Sequence, residues 1–480
     1  MYDVVLQRQT TMADEPDVAL RALSNTTFDT YWLDSLGSVN DEPSLTENIH
    51  CGLLIIGGGF CGLWGAIQAK EQNPSRHIAL IEAKSIGNGA SGRPAAIMST
   101  SVMHGIHNTE RMFPDDVAEL EDFGRKNMDG FRHTIEKYQI ACDIEWGGEL
   151  TVSIGDQGLE DIDEEYGLYN KYGHNAHKLD KEQVQSEIHS PIFHAGVWSK
   201  DRSGTVHPGK LVRELKRVAL QLGIQIFENT PHVNNRLNNG KIQVQTPQAT
   251  IDADKVLLAT NAFAVGHRKI KTRVAAVRDR IVMSEPLTPA QMEKVGWKNR
   301  QGVYDTRTQL NYMRLTADNR ILFGGRLNYF YGNNTDPAYD KTPEPYVRLL
   351  ESFYRTFPQL KNDIRFSHAW SGPIGLTTRM AVHYQKYHGG KMVYAGGYSG
   401  FGVTASRFGA RVGLAVLDGV DLPETRMSFA NTLPHYIPPE PFRWIGAKIT
   451  MYALDTADEK GGWRIPWIKM VEKMGFPVTL

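Results

Sequence analysis

The chain has 480 residues, too many for one small core, and the usual domain size of about 100–200 residues predicts two or three cores. Its 53 basic and 54 acidic side chains balance, which excludes an overall field that attracts nucleic acid or an anionic membrane. The cysteines, Cys51, Cys61 and Cys142, lack a Cys-x-x-Cys spacing, so we expect neither a disulfide framework nor a metal site. Since no signal peptide and no membrane-spanning apolar run is evident, we expect a cytoplasmic protein without an integral membrane segment or a nucleic-acid partner.

A polar N-terminal arm opens the chain and is followed by a strand-turn-helix unit. The arm is predicted over residues 1–48, with Tyr31-Trp32-Leu33 as its docking point on the body. Residues 53–56 form an apolar strand, Gly57-Gly58-Gly59-Phe60-Cys61-Gly62 is the turn, and residues 63–69 begin a helix. A dinucleotide-binding GxGxxG segment requires this context, although such a segment can also be an ordinary turn.

The residues of this first turn have predicted roles in holding a diphosphate. Gly57 permits the tight turn, Gly59 lets backbone N–H groups approach the anion, and Gly62 brings the helix close to the sheet. Phe60 and Cys61 lie at the positive end of the helix, where the anion binds. We also expect Cys61 to be a small packing residue.

The next strand, residues 77–82, ends in a carboxylate, Glu82, at the position that binds the adenosine ribose. An acidic side chain there disfavours a ligand with a 2′-phosphate. The loop that follows is rich in glycine and serine, which suits a second set of backbone donors and favours FAD over NAD. Its candidate cofactor-binding residues are Ala83, Ala90, Ser91, Gly92 and Arg93.

A second glycine-rich turn, residues 396–402, follows the predicted strand 391–395 and precedes a helix over residues 404–415. Taken alone, it can also be a helix cap without a ligand.

These segments together resemble the D-amino-acid-oxidase-like superfamily of FAD-dependent oxidoreductases, over residues 30–475. The subgroup they resemble most is that of the γ-glutamylputrescine-oxidase-like amine oxidases. Residues 83–93 are similar to the GxGASGRN segment of the superfamily, and further similar segments are 207–211, 256–262, 320–325 and 396–403. The resemblance implies an α/β fold, with a Rossmann-like FAD-binding domain of the glutathione-reductase type and a second domain with an antiparallel substrate sheet.

The resemblance also implies a discontinuous arrangement of these domains. The FAD-binding domain is predicted from residues 49–110, 198–272 and 366–425, and the substrate domain from residues 111–197 and 273–365. Strands of the substrate sheet are predicted at residues 280–284, 310–314 and 321–323, with a turn at 317–319.

A C-terminal tail is predicted over residues 426–480, and it mixes tryptophan with basic residues. This composition is typical of interfacial membrane segments, but Asp455, Asp458 and Glu459 favour a tail docked on the body.

Further cofactor contacts follow from the resemblance. The backbone of Val233 is expected to bind the adenine, and Thr260, in the strand segment 256–262, is expected to contact the cofactor. The helix after the second turn is expected to direct its N-terminus at the flavin and to stabilise the anionic reduced ring. The candidates there are Gly397, Gly400, Phe401, Gly402, Val403 and Thr404. The FAD is expected to be non-covalent, because no cysteine follows Cys142 and Arg93-Pro94-Ala95-Ala96 lacks the histidine of a covalently flavinylated branch.

The expected reaction follows from the cofactor. FAD accepts a hydride at N5 from a carbon beside nitrogen, and water then hydrolyses the imine. The principal hypothesis is an FAD-dependent amine oxidase with O2 as acceptor. One alternative is a dehydrogenase of an N-substituted amino acid that passes electrons to a carrier, and another is a flavin-binding protein without turnover. Hydrolases and kinases are not supported, because no nucleophilic triad, HExxH motif or P-loop is present.

Candidate substrate residues are less well defined by the sequence. Ile374 occupies the place of the family's carboxylate-binding arginine, which favours an amine, or a substrate whose acid is bound elsewhere. Arg379 is an additional cation that could recruit an anionic group. Tyr312, Arg326 and Tyr329 are the candidate catalytic residues, and core packing is the alternative for the aromatic ones.

Other polar residues near the predicted site have two interpretations each. Arg278 and Arg280 alternate along a strand and form either an anion clamp or a solvated face. His104 is expected to be a packed loop histidine rather than an acid or base.

Overall fold

The computed structural model describes residues 15–37, 40–476 and 478. The strands in these ranges are β1 (Ile49–Ile56), β2 (Ile78–Ile81), β3 (Ile97–Ser99), β4 (Glu149–Ile154), β5 (Ala176–Leu179), β6 (Phe193–Ser199), β7 (Ser203–Thr205), β8 (Gln225–Phe227), β9 (Asn234–Asn238), β10 (Lys241–Gln245), β11 (Thr250–Leu258), β12 (Val274–Ser284), β13 (Gly302–Asp305), β14 (Tyr312–Leu315), β15 (Ile321–Tyr329), β16 (Phe366–Thr377), β17 (His383–Tyr387) and β18 (Met392–Gly396).

The α-helices in the same ranges vary from single turns to 21 residues. They are α1 (Glu15–Ala22), α2 (Tyr31–Asp34), α3 (Phe60–Gln72), α4 (Ile106–Met112), α5 (Val117–Lys137), α6 (Leu159–Lys171), α7 (Lys181–Glu187), α8 (Pro208–Gln221), α9 (Arg268–Lys271), α10 (Pro289–Val295), α11 (Val347–Thr356), α12 (Gly402–Asp418), α13 (Pro423–Arg426), α14 (Ser428–Asn431), α15 (Phe442–Lys460) and α16 (Arg464–Lys473).

The first sheet has the strand order β17-β18-β11-β1-β2-β8 and is parallel from β18 to β8. The β9–β10 hairpin extends it, because β10 pairs antiparallel with β11. The continuous apolar run at residues 53–56 is fully buried in β1, as expected for a parallel strand covered on both faces. Both glycine-rich turns leave this sheet at the carboxyl ends of parallel strands, β1 and β18.

Helices α3 and α12, which follow the two turns, pack against each other. A Cβ placed on Gly65 of α3 would lie 2.8 Å from the Leu257 side chain and 3.7 Å from the Ala410 Cβ. A larger residue at this position would push α3 away from the sheet. The small residues therefore hold the two helix N-termini close together.

The second sheet has the order β16-β12-β15-β14-β13-β4-β6-β5 and is antiparallel except for the pair β13–β4. Successive side chains of a strand point to opposite faces, so this sheet has an apolar face and a polar face. The apolar face packs against α1 and α11 through residues that include Leu150, Val282, Val303, Met313 and Phe323.

The opposite face of this sheet carries Glu149, Asp279, Tyr304, Tyr312 and Gly324. Tyr312 packs there with the aromatic and apolar cluster that contains Trp32 and Trp370. The polar face is therefore turned toward the N-terminal arm and the loop after Glu82, because Ala95 of that loop packs against the same cluster.

The predicted mixed α/β architecture is confirmed, with the two large sheets and a two-stranded sheet of β3 and β7. Strands β12, β14 and β15 contain or overlap the three predicted strands, and residues 317–319 form the predicted turn region. Residues 366–377 form β16, which pairs with β12 in the second sheet, whereas the predicted division assigned them to the FAD-binding domain. The domain division itself stays a prediction.

The described part of the N-terminal arm docks where the sequence predicted. Trp32 is 1% exposed, and its indole Nε1 donates a hydrogen bond of 2.8 Å to the Pro94 carbonyl. The Thr30 hydroxyl donates to the Gly92 carbonyl at 2.7 Å. Residues 1–14 and 38–39 of the predicted arm lie outside the described residues.

The C-terminal tail also contacts the body, because Asp455 of α15 forms ion pairs with Arg326 and Arg348. In the described part of the chain, no helix combines the length and the apolar character that crossing a bilayer demands.

Candidate cofactor and substrate site

Backbone atoms lie so close to Gly57 and Gly62 of the first glycine-rich turn that neither position has room for a side chain. Gly57 has a φ of +111°, and a Cβ there would lie 2.9 Å from the Ala259 carbonyl oxygen. A Cβ on Gly62 would lie 1.9 Å from the Gly57 carbonyl oxygen. Helix α3 begins after Gly59, which supplies no side-chain cap. The Phe60 N–H donates to the Ser91 hydroxyl, so the N–H groups that follow it in the first turn are the ones that can bind an anion.

Glu82 lies at the end of β2, next to this turn. Its Oε2 accepts a hydrogen bond of 2.7 Å from the Gly58 N–H, and its Oε1 accepts one of 3.0 Å from the Lys84 N–H. Burial raises the pKa of the Glu82 carboxyl, although the backbone N–H groups oppose the shift. The Glu82 carboxylate is thus held beside the first turn, where the ribose is predicted to bind.

The loop after Glu82 connects the first turn to the second sheet. The Ser91 hydroxyl accepts a hydrogen bond of 2.8 Å from the Phe60 N–H. The Arg93 carbonyl accepts one of 2.9 Å from the Trp370 indole of β16. Arg93 itself lies 3.5 Å from Asp29 of the arm, and burial lowers the pKa of its guanidinium.

The second glycine-rich turn converges on the first. Gly397 and Gly400 have φ values of +87° and +98°, which glycine adopts readily. The Tyr398 hydroxyl donates a hydrogen bond of 3.1 Å to the Cys61 sulfur, so the two turns are in direct contact. Helix α12 begins at Gly402, and its N-cap residue Phe401 makes no side-chain cap.

Neighbouring residues fix this second turn in place. The Gly397 N–H donates to the Asn261 Oδ1 at 2.9 Å, and the Thr404 hydroxyl donates to the Ser99 carbonyl at 2.5 Å. Val403 is buried beneath the turn. Asn261 was not among the predicted site residues, although it directly follows Thr260 in a predicted strand segment.

Both turns and the loop after Glu82 keep accessible groups. Predicted cofactor residues retain partial or full exposure within otherwise buried surroundings, namely Gly59, Glu82, Ala83, Ala90, Ser91, Arg93, Thr260, Gly400, Phe401 and Gly402. A series of accessible backbone and polar groups that connects the N-termini of α3 and α12 suits an extended anionic dinucleotide. The residues present therefore fit FAD.

Val233 departs from this pattern. It is 58% exposed beside the β9–β10 hairpin, and its N–H donates to the Gln245 carbonyl at 2.9 Å. Its N–H is therefore already paired within the hairpin, and an adenine contact at Val233 stays a prediction for its carbonyl.

On the substrate side, Tyr312 lies on the polar face of the second sheet. Its hydroxyl donates a hydrogen bond of 2.5 Å to Oδ2 of Asp279. The tyrosine ring crosses β15 at Gly324, where a Cβ would lie 2.1 Å from the ring. Burial raises the pKa of Asp279 to about 6, and yet the residue keeps some accessible surface.

Asp279 was missed by the sequence analysis, which singled out its neighbours Arg278 and Arg280. The alternation of side chains along β12 was the available signal, because it places Asp279 on the face opposite to both arginines.

The two arginines share an internal carboxylate. The Arg278 Nε lies 2.6 Å from Asp340 Oδ2, and the Arg280 Nε lies 3.1 Å from Asp340 Oδ1. Arg278 and Asp340 are both buried, so the solvated-face alternative is wrong for Arg278. The predicted anion clamp of Arg278 and Arg280 is therefore occupied by a carboxylate of the same chain, that of Asp340.

Arg326 and Tyr329 are bound by the C-terminal tail. Arg326 pairs with Asp455 and donates to the Ser352 hydroxyl at 2.6 Å. Tyr329 is buried and donates to Glu440 Oε1 at 2.5 Å. Arg326 and Tyr329 are therefore engaged by the tail, whereas Tyr312 pairs with Asp279 within the second sheet.

The remaining substrate-side candidates are packed. The Arg379 guanidinium is buried and donates to the Thr432 hydroxyl at 2.7 Å, so this cation is engaged by α14 and the residue after it. Burial lowers the pKa of His104 to about 4, and its Nε2 lies 2.9 Å from the Ser399 carbonyl oxygen. His104 is a packed neutral histidine, as the sequence predicted.

Comparison with known proteins agrees with this site. The family model described as FAD dependent oxidoreductase (DAO) matches residues 53–413. A probable oxidoreductase, OrdL, of Haemophilus influenzae is 30% identical over 400 residues, which cover 82% of this chain and 88% of the relative. The gamma-glutamylputrescine oxidoreductase of Escherichia coli is 29% identical over 423 residues, with 85% and 92% covered.

Among solved structures, glycine oxidase from Geobacillus kaustophilus is similar with a TM-score of 0.65 and 17% sequence identity. The likeness covers 80% of this chain and 98% of that protein, and it concerns the fold. The family match spans both glycine-rich turns and the polar face between them. The chain therefore belongs to the DAO family of FAD-dependent oxidoreductases.

Proposed function

We propose that this chain oxidises a C–N bond of an amine, with Asp279 as the group that binds the substrate's ammonium. When bound, FAD would supply the hydride acceptor for the carbon next to the nitrogen, once the ammonium has released a proton to water and the nitrogen lone pair can form the imine. The observation that carries the proposal is the hydrogen-bonded pair of Asp279 and Tyr312 on the polar face of the second sheet.

The chemistry of this pair suits a cationic substrate. With a pKa of about 6, Asp279 is mostly ionised at neutral pH. Its oxygens accept hydrogen bonds from the Tyr312 hydroxyl at 2.5 Å and from the Arg280 N–H at 3.0 Å. Each carboxylate oxygen keeps a further lone pair, so the group can accept an ammonium N–H while Tyr312 holds its orientation.

The residue at position 374 supports an amine over an α-amino acid. Ile374 lies on β16, beside Val277 of β12, and retains partial exposure. An isoleucine there offers no charge to a substrate carboxylate. The Escherichia coli relative named gamma-glutamylputrescine oxidoreductase also supports an amine substrate for this chain.

The finer assignments form part of the same proposal. The first sheet is assigned to a Rossmann-like FAD-binding domain and the second sheet to a substrate domain. Non-covalent FAD is proposed because the buried thiols of Cys51, Cys61 and Cys142 have pKa values raised by burial to about 11 or 12, which disfavours the reactive thiolate.

We propose O2 as the electron acceptor. The alternatives are a dehydrogenase of an N-substituted amino acid that uses an electron carrier, and a flavin-binding protein without turnover. The departure from the family pattern at residues 93–96 is the feature that favours the last of these.

Anaerobic mixing of the purified holoprotein with a panel of amines and amino acids tests the proposal. We expect amines to bleach the flavin absorbance, and Asp279→Asn to slow this reduction strongly at low amine concentration. Glu293→Gln, at an exposed carboxylate of α10, is the matched control and should reduce at the wild-type rate.

The possible results separate the alternatives. If no compound bleaches the flavin, the enzyme assignment is wrong. Bleaching by amino acids alone, with Asp279→Asn unaffected, contradicts an amine substrate. Rapid re-oxidation in air identifies an oxidase, slow re-oxidation a dehydrogenase, and flavin that stays with the denatured chain contradicts non-covalent binding.

A further inference from the structure

The C-terminal helices α15 and α16 form a hairpin with an exposed apolar side. We call this side the tail surface and define it by residues that are 43–62% exposed, namely Ile445, Tyr452, Trp463, Met470 and Met474. It lies beyond the residues that the family model matches, 53–413. The amine-oxidation proposal leaves this surface without a role.

The members of the tail surface on α15 are continuous with those at the start of α16. Ile445 and Tyr452 are seven residues apart and therefore share one face of α15. The rings of Tyr452 and Trp463 stack with their centroids 6.3 Å apart. The Arg464 guanidinium lies 5.4 Å and 5.2 Å from the centroids of these two rings.

Helix α16 turns one side inward and the other outward. Ile468 is buried against Ala453 and Leu454 of α15. Met470 and Met474 are four residues apart and share the exposed side. An apolar strip of this kind on a water-facing hairpin marks an interaction surface.

The acidic side chains of the hairpin are engaged by the body. Asp455 pairs with Arg326 and Arg348, Asp458 accepts from the Thr308 N–H at 3.1 Å, Glu459 pairs with Arg355, and Glu472 lies 3.7 Å from Arg111. The acidic side chains of α15 and α16 are thus directed toward the body, and Asp455, Glu459 and Glu472 each lie beside an arginine there.

Several basic side chains remain on the outer side. Lys460, Lys469 and Lys473 are exposed, and none has an ion-pair partner within the ranges 15–37, 40–476 and 478. The hairpin therefore presents aromatic and apolar groups next to uncompensated positive charge. The near-zero net charge of the whole sequence does not reveal this local excess of positive charge on the outer side of the hairpin.

We propose that the tail surface binds the headgroup region of an anionic phospholipid bilayer. Tryptophan and tyrosine favour the membrane interface, and lysines beside them are attracted to anionic lipids. A second copy of the chain fits less well. A two-fold contact through this surface would bring the same lysines together, because the acidic side chains of the hairpin are held by the body on its other side.

Co-sedimentation of the holoprotein with lipid vesicles tests this proposal. We expect binding to vesicles that contain phosphatidylglycerol, weak binding to phosphatidylcholine vesicles, and loss of binding at 1 M salt, where the Debye length is only about 3 Å. Lys469→Gln/Lys473→Gln should lower the partition coefficient roughly 30-fold, because each lysine near the surface contributes about fivefold.

An aromatic variant and two controls complete the experiment. Tyr452→Ala/Trp463→Ala should lower the partition coefficient about tenfold, since the interface loses both rings. Leu237→Ser on the β9–β10 hairpin and Lys298→Gln after α10 remove exposed groups elsewhere and should bind as the wild type does.

Three results would overturn the proposal. The first is no sedimentation with either vesicle, and the second is equal binding to both vesicle types with no effect of the lysine substitutions. The third is a dimer in light scattering that Tyr452→Ala/Trp463→Ala dissociates, which would assign the surface to a second copy.

Discussion

The Tyr312 hydroxyl and the Asp279 carboxylate meet at 2.5 Å across a neighbouring strand, β15. The ring reaches over Gly324, where a Cβ would lie 2.1 Å away, so any other residue at that position would displace the tyrosine. The pair is thus built by three strands at once. It supplies an oriented negative charge on the face turned toward the loop after Glu82.

A first prediction concerns the pH dependence of amine oxidation. Asp279 binds an ammonium only when ionised, so kcat/KM should fall as the pH drops through about 6. The Tyr312 hydrogen bond favours the ionised form. In Tyr312→Phe the acidic limb of the kcat/KM profile should therefore move about one pH unit higher.

Tyr304→Phe is the matched control for this measurement. Tyr304 lies opposite Tyr312 on β13 and on the same face, so its hydroxyl is removed without touching the pair. Its acidic limb should stay in place. An unmoved limb in Tyr312→Phe would exclude Asp279 as the titrating group.

A second prediction concerns cofactor retention. A Cβ on Gly62 would meet the Gly57 carbonyl oxygen at 1.9 Å, and backbone cannot yield as a flexible side chain does. Gly62→Ala should therefore displace the first turn and leave most of the purified protein without flavin. The ratio of flavin to protein absorbance measures this.

Gly167→Ala on α6 provides the comparison, because nothing lies within 4 Å of a Cβ there. It should retain a full complement of flavin. A normal flavin ratio in Gly62→Ala would show that the turn tolerates a side chain and does not need the close approach.

The sequence predicted the cofactor side of the site better than the substrate side. The roles of Gly57 and Gly62 follow from local backbone geometry, which a short motif encodes. The contact between Tyr312 and Asp279 depends on the order of β12, β15 and β14, and the contact of Arg326 with Asp455 depends on where the tail docks. Neither spacing along the chain nor residue type determines such long-range pairings.

A third prediction concerns the N-terminal arm. Trp32 is almost fully buried and anchors the Pro94 carbonyl. Trp32→Ala should lower the free energy of unfolding by about 3–5 kcal/mol, because it leaves a large cavity. Trp32→Phe keeps most of the packing and loses the hydrogen bond, at a cost of about 1 kcal/mol.

Urea denaturation of the holoprotein distinguishes these variants. A Trp32→Ala protein as stable as the wild type would mean that the arm contributes nothing to the loop at residues 92–94. The Trp32→Phe protein should lie between the two.

Two buried carboxylates near Arg202, those of Glu121 and Glu149, have pKa values shifted in opposite directions. Burial alone would raise the pKa of Glu121, but Arg202 and His174 hold it down at about 2. Burial raises the pKa of Glu149 to about 7, and its Oε1 accepts a hydrogen bond of 3.2 Å from the Tyr169 hydroxyl. Arg202 thus compensates one carboxylate and leaves the other protonated in mildly acidic solution.

The last prediction follows from Glu149. The pKa of Glu149 is about 4.5 in the unfolded chain and about 7 in the folded chain. Between pH 4.5 and pH 7 the folded chain therefore holds a proton that the unfolded chain has released, so the free energy of unfolding falls as the pH rises through this range. Glu149→Gln stays neutral and avoids this loss. It should be more stable than the wild type at pH 8, by up to about 3 kcal/mol, and by less than about 1 kcal/mol at pH 5. Urea denaturation at both pH values measures the difference.

Glu121→Gln should instead be less stable at both pH values, because it deprives Arg202 of its partner. Equal stability of Glu149→Gln and wild type at pH 8 would contradict a raised pKa at Glu149.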